Sequence, residues 1–280
     1  MQLLFQVLLA LGGPCPKLKM TSNASVQDGD LDEISGIASH LDQIYVHNDS
    51  GDQANIYAMN VNGQLNKTLT LENVRARDWE DMSITEWNDQ ATIFVGDIGD
   101  NQSHHKAIFI HALPVDASPP FKPKTWKLSY GNHGPQDAEG LAVDPVDGRL
   151  YLLSKGRSGT INLFQTDPLS HEVEQYSLSL VAQFPLSDRR KPLPAFLATS
   201  LDISPNGSQL IMRNYHKAFL WSRTPDQEWA EVLASPPCQI RLPRQPQGES
   251  LAFRTEDELI TISERRFQPI YHIQLIRDDP

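Results

Sequence analysis

"DAEGLAVDPVDGRLYLLSK", residues 137 to 155, joins two short apolar runs through a turn. The first run ends at Val143, and the second covers Leu150 to Leu153. Between them stand Asp144, Pro145, Val146, Asp147 and Gly148, a cluster of turn formers that closes two β-prone runs into a hairpin. Neither run is long enough to be a typical helix.

The same opening recurs as ISGIAS (34 to 39), WEDMSI (79 to 84), TSLDIS (199 to 204) and ESLAFR (249 to 254), with AEGLAV (138 to 143) as the middle copy. The central aliphatic residues, Ile37, Met82, Leu141, Leu201 and Leu251, are 45, 59, 60 and 50 residues apart. Each copy is followed by a second run (QIYVHND, ATIFVGD, RLYLLSK, QLIMRNY, ELITISE) and a third (NIYAMNV, KAIFIHAL, TINLFQT, KAFLWSR, PIYHIQL). Fourth runs are KTLTLEN, TWKLSYG, YSLSLVAQF and EVLAS. Four short strands in a unit of about fifty residues define a β-propeller blade, so the chain is expected to be an all-β, single propeller.

The fifth repeat has three strands before the last residue, and a β-capable stretch from Lys17 to Val26 precedes the first repeat. That stretch can supply the missing strand and close the ring of five blades. A sixth blade inside the long second or third repeat is the alternative.

The chain has 280 residues and a formal charge of -11, from 24 Lys+Arg against 35 Asp+Glu. Such a balance repels nucleic-acid phosphates and anionic membranes and favours cations or neutral ligands. Residues 1–13 combine the apolar run Leu3 to Leu11 with Gly12 and Gly13, as an export signal does, but carry no Lys or Arg ahead of the run. The propeller then covers residues 14–280, and no later run approaches the ~20 apolar residues of a transmembrane helix. Cys15 and Cys238 either pair in an oxidising compartment or are unrelated thiols.

A propeller places the loops that lead into each first strand, and those that leave each second strand, on one face of its channel. One column there reads Ser35, Glu80, Glu139, Thr199 and Glu249, and two residues earlier stand Glu33, Asp78, Asp137, Leu197 and Gln247. At the ends of the second strands stand Asp49, Asp97, Lys155, Tyr215 and Glu264, with Arg213 and Arg265 beside them. Asp-x-Gly-Asp occurs twice, at Asp49 and Asp97, 48 residues apart. Either copy alone reads as a turn, since Asp caps backbone N–H groups there. Carboxylates converging from several blades need protons, cationic partners or a metal ion.

Glu80, Glu139, Glu249, Asp78 and Asp137 are the expected ligands of a hard cation, Ca²⁺ by ligand type. Salt bridges to Lys155 and Arg213 are the rival reading. In a hydrolytic site Asp97 or Asp49 would act as base, while Lys155 and Arg213 would face negative charge on the substrate. No GxSxG elbow, P-loop, GxGxxG or zinc spacing is present. His47 and His216 near the mouth, and the pair His104-His105, read as packing or surface residues.

HNDSGD (47 to 52), DWED (78 to 81), GDIGDN (96 to 101) and DAEGLAVD (137 to 144) together resemble a group of exported bacterial β-propeller proteins. The resemblance is strongest over residues 33 to 160, and implies a propeller and a periplasmic or secreted location. It fades in the fourth repeat, where Leu197 and Thr199 replace the acidic pair. More distantly, the acidic mouth looks like that of calcium-dependent lactonase and phosphoesterase propellers, which implies an ion that polarises a carbonyl or phosphoryl oxygen. Two functions follow as expectations. One is a metal-assisted hydrolase of an ester, lactone or phosphoester. The other is a non-catalytic module that binds a small molecule, peptide, glycan or protein around a structural ion.

Overall fold

The computed structural model describes residues 15–49, 51–185 and 197–277. The expected export signal and Ser50 lie outside the described residues. Strand β1 (Lys17–Ser25) comes first, and β2 (Ile34–His40), β3 (Gln43–Asn48), β4 (Asn55–Asn60) and β5 (Leu65–Thr70) form blade one. Blade two holds β6 (Trp79–Trp87), β7 (Gln90–Asp97), β8 (Ile108–Pro114) and β9 (Lys124–Ser129). Blade three begins with β10 (Ala138–Val143), β11 (Leu150–Ser154) and β12 (Thr160–Gln165). The chain then adds β13 (Gln175–Ser177) to blade two, in parallel with β9, before completing blade three with β14 (Ser179–Pro185).

Blade four is β15 (Ala198–Ile203), β16 (Gln209–Asn214), β17 (Lys217–Ser222) and, after the one-turn helix α1 (Trp229–Val232), β18 (Cys238–Arg241). Blade five is β19 (Ala252–Thr255), β20 (Glu258–Thr261) and β21 (Pro269–Ile276), with β1 antiparallel to β21 as its outer strand. The ring therefore has five blades and closes through its N-terminal strand, as the repeat predicts. The extra residues of the second repeat form loops 98–107 and 115–123 and no sixth blade.

Both faces of each blade are covered by a neighbouring blade, which explains why the strands read as apolar runs with little polar alternation. In β3, Ile44 and Val46 enter the core between blades five and one, while Tyr45 between them enters the core between blades one and two. Five apolar clusters fill the five blade interfaces in this way.

Two fourth-run expectations are corrected. In YSLSLVAQF, Tyr176 belongs to β13 and covers the edge of blade two, and only the part from Ser179 is the outer strand of blade three. EVLAS is not a strand. Trp229, Val232 and Leu233 are buried at the i, i+3, i+4 spacing of one helix face and pack into the core between blades three and four. The outer strand of blade four is instead β18.

Cys15 and Cys238 form a disulfide, which settles the open alternative for these cysteines and joins the start of the closing strand to the outer strand of blade four. Among the described residues no helix is long and apolar enough to cross a membrane.

Candidate acidic channel mouth

The first-column residue of blades one to four occupies a β-bulge. Register shifts fall between Ile34 and Gly36, Trp79 and Asp81, Ala138 and Gly140, and Ala198 and Ser200, which leaves Ser35, Glu80, Glu139 and Thr199 as the extra residues. A bulge re-aims its side chain, and four in equivalent positions turn this column toward the mouth. Period-two reasoning missed the device; its sequence trace is the small residue that follows the bulge at Gly36, Gly140 and Ser200.

Asp81 is buried between the blades. Its carboxylate accepts from the backbone N–H of Met82, Leu141 and Leu201 at 2.9, 3.0 and 3.1 Å, and from the Ser200 hydroxyl at 3.2 Å. Blades two, three and four are thus stapled through one side chain. Ser35 adds a link from blade one, donating to the Glu80 carbonyl at 2.5 Å.

At the mouth, carboxylate oxygens of Asp49, Asp78 and Glu80 lie within 4.8 Å of one another. Glu80 is 3% exposed, while Asp49 and Asp78 are half-buried, so the cluster has a buried floor and a solvent side. Burial raises the Glu80 pKa well above its usual range, assisted by the charges of Glu139 and Asp49 and opposed by Lys155. Burial likewise raises Asp78, together with Asp137 and Asp97. Gly99 presses against both groups. A Cβ there would lie 2.3 Å from Glu80 Oε1 and 2.5 Å from Asp78 Oδ2, so only glycine leaves this space to the carboxylates. Three hard oxygen donors around such a space could hold a metal ion.

The other expected ligands are placed differently. Glu139 is 1% exposed and accepts a hydrogen bond from the Lys155 ammonium. Burial moves Glu139 to about 8 against the pull of Lys155, with Glu249 and Asp137 pushing the same way as burial. Burial lowers Lys155, but Glu139, together with Tyr215 and Glu80, raises it overall. Asp137 accepts from Arg157 Nε at 2.6 Å and from the Asp100 N–H at 3.2 Å. Glu249 accepts from the Tyr215 hydroxyl at 3.1 Å and from Gln247 Nε2 at 3.2 Å. Glu139, Asp137 and Glu249 border the cluster without joining it. Asp49, read from sequence as a base, joins it instead. For Glu139 the salt-bridge reading holds, with Lys155 as partner.

Asp97 and Arg213 lie beneath the mouth. Asp97 accepts from the Asp78 N–H at 3.0 Å and pairs with Arg77 Nε at 3.5 Å, which makes it the brace of the Asp78 segment. Arg213 is fully buried and donates to the Ser250 carbonyl at 2.8 Å, Thr261 Oγ1 at 2.9 Å and the Asn214 carbonyl at 3.1 Å, with two longer bonds to Gln245. Its donors tie blade four to blade five. Asp100 accepts from the N–H groups of His104 and His105 at 2.9 and 2.6 Å and so folds the 98–107 loop. His47 is a core residue that burial lowers to about 4, and His216 is exposed.

Two residues were undervalued from sequence. Tyr215 reaches Glu249, and the Glu264 carboxyl is pushed up to about 9 by burial and by its contact with Glu249. With them all five blades contribute to the mouth. A groove of about 450 Å³ is formed by the loops that carry Asp49 and Asp78 and is lined by residues 51–54, Thr70, Leu71 and residues 74–76, without any of the three cluster residues.

No protein-family model matches the chain, and no curated protein sequence matches it. Solved structures do match. The PQQ-bound aldose sugar dehydrogenase of Streptomyces coelicolor aligns over 93% of this chain and 99% of its own, at 11% identity and a TM-score of 0.50. The apo-form of the soluble aldose sugar dehydrogenase of Escherichia coli aligns over 92% and 100%, at 10% identity and 0.50. A gluconolactonase of Xanthomonas campestris aligns over 83% and 68%, at 11% identity and 0.45. At these identities the likeness shows the fold alone.

Proposed function

We propose that the mouth binds a divalent cation, Ca²⁺ by its donor set, through Asp49, Asp78 and Glu80, and that the protein is a cation-dependent hydrolase of an ester, lactone or phosphoester. The observation that carries this reading is the cluster itself: three carboxylates within 4.8 Å, one on a buried floor and two half-exposed. Ca²⁺ takes six to eight oxygen ligands. A three-residue site on the solvent side leaves positions for water and substrate, where a purely structural ion would be enclosed. When bound, the ion supplies polarisation of a carbonyl or phosphoryl oxygen.

The chain's own groups do the remaining work. Lys155 holds positive charge beside the cluster, where negative charge develops on the reacting oxygen. Glu139 is buried and paired with Lys155, so it holds that ammonium in place, while the attacking water gives its proton to solvent. The leaving oxygen departs with a proton from solvent. The groove formed by the loops that carry Asp49 and Asp78 is the place for the rest of the substrate. The disulfide supports a periplasmic or secreted location.

The burial of Asp97 and Arg213 removes two groups from the catalytic set and favours the second reading, a non-catalytic binding module around the same ion. Thermal denaturation with Ca²⁺ or EDTA, followed by an esterase, lactonase and phosphatase panel, separates the two. Calcium at a hundred times its Kd should stabilise the fold by about 2.7 kcal/mol. Glu80→Gln should lose both that shift and any turnover. A shift without turnover selects the binding module, and no shift at all removes both.

A further inference from the structure

The connection from β20 to β21, residues 262–268, borders the mouth through Glu264 and holds two residues in the left-handed region, Arg265 at φ 84° and Phe267 at φ 57°. Neither is glycine. For side chains this large the conformation is strained, and a chain selected only to make the turn would place Gly or Asn there. The backbone is nonetheless fixed. The Arg265 N–H donates to the Asp32 carbonyl at 2.6 Å, Arg266 Nε meets Asp32 Oδ2 at 3.2 Å, and the Val26 N–H donates to the Gln268 carbonyl at 3.0 Å.

The strain secures no burial in return. Phe267 is 57% exposed and lies over Gly29, where a Cβ would stand 3.1 Å from its ring. The exposed Arg265 side chain makes no ion pair or hydrogen bond with any described residue. A guanidinium without a partner among the described residues and a largely exposed ring thus stand two residues apart on one fixed loop, which also carries Glu264. The Glu264 carboxyl responds to the charges of Glu249, Asp49 and Glu33, which puts this loop on the cluster's side of the mouth.

We propose that Arg265 and Phe267 form a subsite for an organic anion, a phosphate or carboxylate joined to a flat apolar group. The planar fork of arginine matches either anion with two parallel hydrogen bonds. The exposed phenyl ring two residues further along the loop takes the attached flat group. In a chain of charge -11 an anionic ligand needs such a counter-charge to approach. The inference deepens the proposed function and rests on it for the placement of the substrate: it selects anionic substrates over neutral lactones.

The test is titration calorimetry at pH 7 with phenyl phosphate, inorganic phosphate, benzoate and phenol, in Ca²⁺ and in EDTA. Phenyl phosphate or benzoate should bind and phenol should not, the stronger of the two identifying the anion. Arg265→Gln should weaken that ligand about tenfold. Phe267→Ala should weaken phenyl phosphate and leave inorganic phosphate unchanged. Arg265→Gly and Phe267→Gly should keep or raise Tm while losing affinity, because they relieve strain; a merely structural loop would lose Tm. The proposal is overturned if neither aryl anion binds, or if binding is indifferent to Arg265. Binding that depends on Arg265 and persists without any calcium response keeps the subsite while the cation reading fails. A calcium response with binding blind to Arg265 does the reverse.

Discussion

The two Asp-x-Gly-Asp turns look equivalent in sequence, yet their glycines serve different physical needs. Gly51 has φ +98° with nothing within 4 Å of a would-be Cβ, so it is required for backbone conformation. Gly99 has an ordinary backbone and is required for space, against Glu80 and Asp78. The two substitutions should therefore separate. Gly51→Ala should cost about 1 kcal/mol of stability and keep the calcium-dependent Tm shift. Gly99→Ala should push the two carboxylates apart and abolish that shift. Denaturation curves with Ca²⁺ and with EDTA distinguish them, and equal calcium responses in both variants would contradict the role given to Gly99.

Among the elements, β1 and β18 carry the ring closure. Strand β1 completes blade five, and the Cys15–Cys238 bond ties it to the outer strand of blade four across a separation of 223 residues. A crosslink over so long a loop restricts the unfolded chain strongly. Reduction, or Cys15→Ser with Cys238→Ser, should lower stability by about 2–4 kcal/mol, read as a shift of the denaturant midpoint. An unchanged midpoint would mean that pairing with β21 and the burial of Leu18 beside Ile273 hold β1 unaided. At this level sequence reading succeeded where a strand pairs with its chain neighbour, because such pairing is local. It failed at β13 and α1. β13 leaves its own blade for the open edge of the previous one, and α1 is a single turn whose Trp229, Val232 and Leu233 face inward.

In the molecule as a whole, the buried carboxyls, those of the mouth and Asp202 between blades four and five, should govern the pH response of the cation-free protein. Burial raises Glu139 from its usual 4.5 to about 8, Asp202 from 3.8 to about 7 and the half-exposed Glu264 from 4.5 to about 9. A raised carboxyl binds its proton more tightly in the folded state, so its contribution is present at low pH and lost as pH rises through the folded value. His47 and His111 act oppositely. Both fall from 6.5 to about 4 through burial, so their contribution is lost as pH falls below 6.5. In EDTA, Tm should therefore drop with rising pH, most steeply between about pH 6.5 and 8, where the histidines no longer oppose the carboxyls. Calcium should flatten that slope. A Tm in EDTA that rises through this interval would contradict the acidic mouth.

Five blades, closure by residues near Lys17 and an acidic channel mouth follow from the sequence alone, because a propeller blade is written as local strands at a fixed period. Which carboxylates meet does not follow. The period brings Glu80, Glu139 and Glu249 to one ring, but Lys155 takes Glu139, Tyr215 and Gln247 take Glu249, and Arg157 takes Asp137. Asp49, Asp78 and Glu80 come together because a β-bulge turns Glu80, the end of β3 delivers Asp49 from the preceding blade, and Gly99 leaves them room. Those three conditions lie on three separate segments of two blades. Only their packing across the blade interface decides the distances between their oxygens.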